Sequence, residues 1–228
     1  MPTKTPPATC CPAAPTASAP VTATWTATWT ATPAQTPTAQ APVATLRIEA
    51  GYRPGFIART LQMHMDYYHS AVSWGQAFEA AKAQCWGKIV EQLPSYPDSQ
   101  IWSAVRVTGD SERIVGTIML DSATDAEAEA EAGEGRQKVR TVQLRGFIVD
   151  SDARGLGAGK KLLAAAMAHV EERGIEKVIL HTMDSLGAAV YLYRAAGFVL
   201  HSEEERVLWG AKIKEQLYIW RRKALPAK

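Results

Sequence analysis

Cysteine is scarce, with three in 228 residues. Cys10 and Cys11 are adjacent, a spacing that strains a bridge between them, and Cys85 stands alone. That set builds no disulfide framework, so a reducing compartment, the cytoplasm, is expected. Long apolar runs are missing too. The longest, Leu162 to Val170, includes His169 and falls far short of the roughly 18 residues that a membrane helix requires. No membrane partner is therefore expected. Pro6, Pro7, Pro12 and Pro15 interrupt any apolar leader core, and no arginine precedes Arg47, so neither a secretory signal nor an Arg-rich presequence is expected. Excess charge of one sign is absent. The formal net charge of +2 argues against nucleic acid as a partner. No C-x-x-C, H-E-x-x-H or G-x-S-x-G spacing occurs, which leaves no metal site and no serine elbow to expect.

What is present divides near residue 44. Residues 1–44 hold 9 of the 13 prolines with 12 Thr and 12 Ala, and Lys4 is their one charge. A short repeat, Thr22-Ala-Thr-Trp25 then Thr26-Ala-Thr-Trp29, runs through them. Such a segment buries too little to offset its ordering entropy, and it is expected to be a disordered Thr/Pro/Ala-rich tail. Residues 45–222 are read as the folded domain, and 223–228 as a short basic tail. Within the domain, residues 121–138 crowd Asp121, Asp125, Glu127, Glu129, Glu131 and Glu134 with Ala and Gly. This is expected to be an acidic surface insertion, mildly favouring a cationic acceptor.

Periodicity predicts a strand over 45–49, a helix over 54–70 and a second over 76–93, stopped by Pro94 and Pro97. On the first helix Phe56, Ile57, Leu61, Met65 and Tyr68 make the apolar face. Strands follow over 101–107, 114–120 and 139–149, the first two joined by a turn at Gly109-Asp110. A helix over 157–173, a strand over 178–182, a helix over 186–196, and strands over 198–202 and 213–220 complete the chain. The order β-α-α-β-β-β-α-β-α-β-β is that of a mixed α/β domain with a meander and two crossovers. Leu217, Ile219 and Trp220 leave two readings of the last strand open: an edge covered by a second copy, giving a homodimer, or a strand packed inside a monomer.

The informative stretch is Phe147-Ile148-Val149-Asp150-Ser151-Asp152-Ala153-Arg154-Gly155-Leu156-Gly157-Ala158-Gly159-Lys160. An apolar strand runs into a Gly-rich turn and straight into an amphipathic helix. The first N–H groups of such a helix lack internal partners, and glycine lets backbone approach a phosphate closely. Arg154 and Lys160 add positive charge, so a diphosphate is the favoured ligand. The ATP-type loop G-x-x-x-x-G-K-(S/T) fails at Arg154 and Lys161, and the dinucleotide pattern G-x-G-x-x-G fails at Lys160. The pattern (Q/R)-x-x-G-x-(G/A) fits, on Arg154, Gly157 and Gly159.

On these residues the sequence resembles the GCN5-related N-acetyltransferases (GNAT). Ala189, Leu192, Tyr193, Gly197 and Phe198 match the family's A-x-x-(L/F)-Y-x-x-x-G-F. Gly51-Tyr-Arg-Pro-Gly55, His64 with Tyr67 and Tyr68, and Trp209-Gly210 with Glu215-Gln216 resemble the acetyltransferase domain of bacterial MarR-type regulator fusions. In place of the regulator stands the Thr/Pro tail. One departure is Leu186, where an Asn often stands.

The resemblance implies a mixed, mainly antiparallel GNAT-like sheet with flanking helices and a splayed central strand pair. It implies acetyl-CoA as cosubstrate, its diphosphate on Arg154, Gly155, Leu156, Gly157, Ala158, Gly159 and Lys160, and its pantetheine along Phe147, Ile148 and Val149. The acetyl group would pass directly to an amine-bearing acceptor, a small amine, amino acid or protein lysine. Tyr193 is the candidate acid for the thiolate, with helix anchoring as its competing role. Tyr191 points away on the same helix. No base is identified: Glu203–Glu205 read as a solvated turn, His181 as a core or neighbour-bonded histidine, and a water chain could also serve. His64, Tyr67 and Tyr68 fall where the acceptor site is expected, and Asp150 and Asp152 shape the turn. A catalytically silent CoA-binding sensor and a nucleotide-binding protein are the rival functions.

Overall fold

The structure, a computed structural model, describes residues 44–122 and 139–223. The N-terminal tail up to residue 43, most of the acidic insertion and residues 224–228 lie outside the described residues. The elements are β1 (Thr45–Ala50), α1 (Phe56–Val72), α2 (Gln76–Gln92), β2 (Gln100–Thr108), β3 (Ser111–Asp121), β4 (Thr141–Val149), α3 (Ala158–Glu172), β5 (Lys177–Met183), α4 (Gly187–Ala195), β6 (Val199–Leu208) and β7 (Ala211–Arg221). Their order is the one read from periodicity.

The strands form one sheet in the order β1-β2-β3-β4-β5-β7-β6. Every neighbouring pair is antiparallel except β4 with β5, the two strands bridged by the α3 crossover. Side chains alternate between two covered faces. On one, Trp102, Ile118, Leu180 and Tyr218 pack with Leu162, Ala166 and Val170 of α3 and Tyr193 of α4. On the other, Ile101, Ile114 and Met119 pack with Phe56 and Met63 of α1 and Trp86 and Ile89 of α2. Burial on both faces is why β3 reads as a nearly continuous apolar run.

The structure departs from periodicity at four places. The buried stripe of α1 is Phe56, Thr60, Met63 and His64. Thr60 is tolerated there because its hydroxyl donates to the Phe56 carbonyl at 2.8 Å and meets Thr117 Oγ1 at 3.1 Å. Asp121 belongs to β3, not to the insertion, and is buried with its carboxylate 3.1 Å from Arg145. Strand β6 runs on to Leu208, so Glu203–Glu205 are exposed strand residues paired with Gln216–Lys214 of β7 rather than a turn. The last strand is no edge. β7 lies between β5 and β6, which removes it as a surface for a second copy, and the edges are β1 and β6.

Candidate functional site

Strands β4 and β5 pair only at Thr141–Lys177, Val142–Val178 and Gln143–Ile179. Beyond that point they part. A bulge in β4 sits at the divergence: Thr117 pairs with Ile148 but Met119 with Arg145, so β4 carries one extra residue. Gly146 supplies it at φ +56, with Thr117 Oγ1 donating to its carbonyl at 3.1 Å. The positive φ favours glycine there, and a Cβ would also stand 2.6 Å from Met119 Cε, so the methionine side chain would have to shift to admit one. The bulge bends β4 and leaves Phe147, Ile148 and Val149 with no β5 partner among the described residues.

The turn after β4 is held by charge. Asp150 accepts from Arg59 and Arg113, and Asp152 accepts from Arg106 at 2.9 Å. The Arg106 bond holds the Asp152 carboxyl below its ordinary range. The Asp150 N–H donates to the Val115 carbonyl at 2.8 Å. These bonds fix the chain where it enters the Gly-rich turn, the shaping role expected of both aspartates.

The three glycines do different work. Gly155 and Gly157 have φ of +80 and +75, and nothing stands near either Cβ position. They provide the left-handed backbone that starts α3. Gly159 lies inside the first turn, and a Cβ there would meet Leu192 Cδ1 at 3.2 Å. It lets α3 pack against α4. No side chain caps α3, and its first N–H groups face the turn. Arg154, Gly155, Leu156, Gly157 and Lys160 are exposed around this end, while Ala158 is buried beneath it. Arg154 also lies over the Tyr67 ring, 5.5 Å from its centre.

A cavity of about 870 Å³ extends from this helix end through the gap between β4 and β5 to α1 and α2. Tyr193 lines it, buried against Phe147 and Phe198 with ring centres 5.8 and 5.9 Å away. Burial pushes its phenol pKa well above the ordinary value. Both sequence readings of Tyr193 are therefore compatible: it anchors α4 and it faces the cavity. Tyr191 is 72% exposed and outside it. Leu186 caps the start of α4 without a side-chain bond and lines the cavity.

His64, Tyr67 and Tyr68 of α1 also line the cavity. The His64 Nδ1–H donates to the Thr60 carbonyl at 2.7 Å, and burial lowers its pKa to about 4. Tyr68 stacks on Trp74, and Trp74 meets Trp209 edge-on at 4.7 Å. His181 also lines the cavity and has Glu215 as its neighbour at 3.7 Å, which accepts from Arg206 at 2.6 Å. Burial lowers the His181 pKa, with Glu215 opposing. Lys82, Arg206, Trp209 and Glu215 join the wall from α2 and the β6–β7 hairpin. Lys82 and Arg206 carried no recognisable spacing; only the fold gathers them.

Residues 59–198 match the model of the Acetyltransferase (GNAT) family, more than half of the chain. The chain belongs to that family. Among curated relatives, the mycothiol acetyltransferase of Cellulomonas flavigena is 42% identical over 71 residues, covering 31% of this chain and 20% of that protein. The mycothiol acetyltransferase of Thermobispora bispora is 36% identical over 83 residues, covering 36% and 27%. The chain thus spans about a fifth to a quarter of the length of these relatives. A GNAT-family acetyltransferase from Staphylococcus aureus superposes with a TM-score of 0.54 at 20% identity, covering 78% of this chain and all of that one. Salmonella typhimurium YncA, a putative acetyltransferase solved with acetyl-CoA, gives 0.53 at 15% identity over 80% and 96%. These two likenesses establish the fold.

Proposed function

We propose that this chain transfers the acetyl group of acetyl-CoA directly to an amine, in a ternary complex without an acyl-enzyme. The observation that carries the reading is the parting of β4 from β5 after Gln143 and Ile179, in one cavity with the uncapped N-terminus of α3. An unpaired strand edge suits the amide-bearing pantetheine arm, which would lie along Phe147, Ile148 and Val149 as an added strand. The open helix end suits the diphosphate, held by N–H groups of residues 155–160 with Arg154 and Lys160 as counter-charges.

When bound, acetyl-CoA supplies an activated thioester. A main-chain N–H of the bulged β4 segment would polarise its carbonyl. Tyr193, kept protonated by burial, would donate its proton to the departing thiolate. The incoming ammonium must first lose a proton, and neutral His181 beside Glu215 offers a basic nitrogen on the same wall. The mycothiol in those relatives' names is not brought over to this chain, which covers only 20–27% of their length. Kinship with the domain of MarR-type fusions rests on the outer sequence motifs alone, Gly51-Tyr-Arg-Pro-Gly55, His64 with Tyr67 and Tyr68, and Trp209-Gly210 with Glu215-Gln216. The cytoplasm is the proposed compartment; no helix among the described residues is long and apolar enough to cross a membrane.

The test is CoA release from acetyl-CoA across a panel of primary amines, with acetylated product read by mass. Amine-dependent release supports transfer. Tight acetyl-CoA binding without release for any amine would favour the silent CoA-binding module instead.

A further inference from the structure

The acceptor end of the cavity holds a cation that makes no ion pair among the described residues. Lys82 of α2 is partly buried, and its Nζ lies 5.1 Å from the centre of the Trp209 ring and 5.7 Å from that of Phe78. Among the described residues no carboxylate stands at ion-pair distance from it; Glu215, which acts on it from farther off, is already bound to Arg206. The neighbouring cations differ: Arg206 is bound to Glu215 at 2.6 Å, and Arg145 stands 3.1 Å from Asp121. Arg154 and Lys160 stand at the diphosphate end. Aromatic faces compensate a buried ammonium only in part, and burial alone disfavours its charged form. A ligand anion would complete the site.

We propose that Lys82 binds a carboxylate of the acceptor, making the acceptor an amino acid with an apolar side chain rather than a plain amine. This rests on the acetyl-transfer reading. The amine end would face His181 and Glu215, the carboxylate Lys82. The apolar side chain would lie on the wall of Tyr68, Trp74 and Trp209, whose rings are packed 4.7–4.9 Å apart. Such an acceptor runs against the cationic one that the acidic composition of residues 121–138 suggested, because Lys82 lines the cavity itself.

The experiment is calorimetry on the full chain, saturated with CoA, using L-leucine, L-methionine and L-phenylalanine beside their decarboxylated amines. Acids should bind at least about tenfold more tightly than their amines. Lys82→Met should weaken acid binding about 10- to 100-fold, the scale of one charge-assisted contact, with acetyl-CoA affinity intact as the control for folding. Lys82→Arg should restore part of it. Acids binding no better than amines, no binding of any acid, or equal weakening of both classes by Lys82→Met would overturn the proposal. Lys82-dependent acid binding without CoA release would keep the carboxylate site and remove the transfer reading.

Discussion

The guanidinium of Arg154 lies 5.5 Å from the centre of the Tyr67 ring, which ties the turn ahead of α3 to helix α1. The residue proposed to carry the phosphate-loop charge is thus in contact with the first helix. Arg154→Ala is expected to weaken acetyl-CoA binding about 10- to 100-fold, since it removes a charge-assisted contact. Arg154→Lys should recover only part, lacking the planar fork. Tyr67→Ala should cost a few-fold through lost positioning, and Tyr67→Phe nearly nothing. Equal binding by wild type and Arg154→Ala would remove this residue from the diphosphate site.

Gly146 and Gly155 both have positive φ, but only Gly146 has a neighbour in the way. Gly146→Ala should destabilise by more than Gly155→Ala, because Met119 is fully buried and has to repack, while Gly155→Ala costs about 1 kcal/mol from backbone strain alone. Denaturant midpoints of the two variants check the order. Gly146→Ala should also impair acetyl-CoA binding, because the bulge aims the backbone of Phe147–Val149 into the gap.

Tyr193→Phe keeps the ring that packs on Phe147 and Phe198. Stability and acetyl-CoA affinity should hold, while kcat falls about 100-fold or more if the phenol is the acid. The raised pKa of Tyr193 carries a pH consequence. No basic limb from tyrosine ionisation should be seen up to about pH 10, the ordinary tyrosine value. An unchanged kcat would leave Tyr193 as a helix anchor.

His64 titrates near 4 in the folded chain against 6.5 in the unfolded one. Between these values the unfolded chain binds the extra proton, so stability is complete above pH 6.5 and falls as pH drops towards 4. The loss attributable to this ring is on the order of 3 kcal/mol. His64→Gln retains a donor for the Thr60 carbonyl and cannot titrate. Its unfolding free energy should therefore fall less between pH 7 and pH 5 than that of wild type.

Much of this architecture is legible in the sequence, and the reasons are local. Alternation and 3.6-residue spacing mark the elements, because burial on two faces imposes those periods. The Gly-rich turn before α3 is legible because its glycines lie within five positions of one another, at 155, 157 and 159. Strand β6 beyond Ser202 is not, since its side chains are exposed and its stability comes from main-chain pairing with β7. The place of β7 inside the sheet is equally hidden, because the chain passes β6 before it returns. The Lys82 site is invisible for a third reason: Lys82, His181, Trp209 and Glu215 come from four separate elements or turns and meet only in three dimensions.

The most direct test of the account is calorimetric titration of the chain with acetyl-CoA, beside Gly157→Asp, which adds negative charge and a side chain where the diphosphate would lie. Micromolar binding by wild type, lost in the variant, is the predicted result. No binding by the wild-type chain, or undiminished binding by Gly157→Asp, would contradict acetyl-CoA as the ligand of the β4–β5 gap.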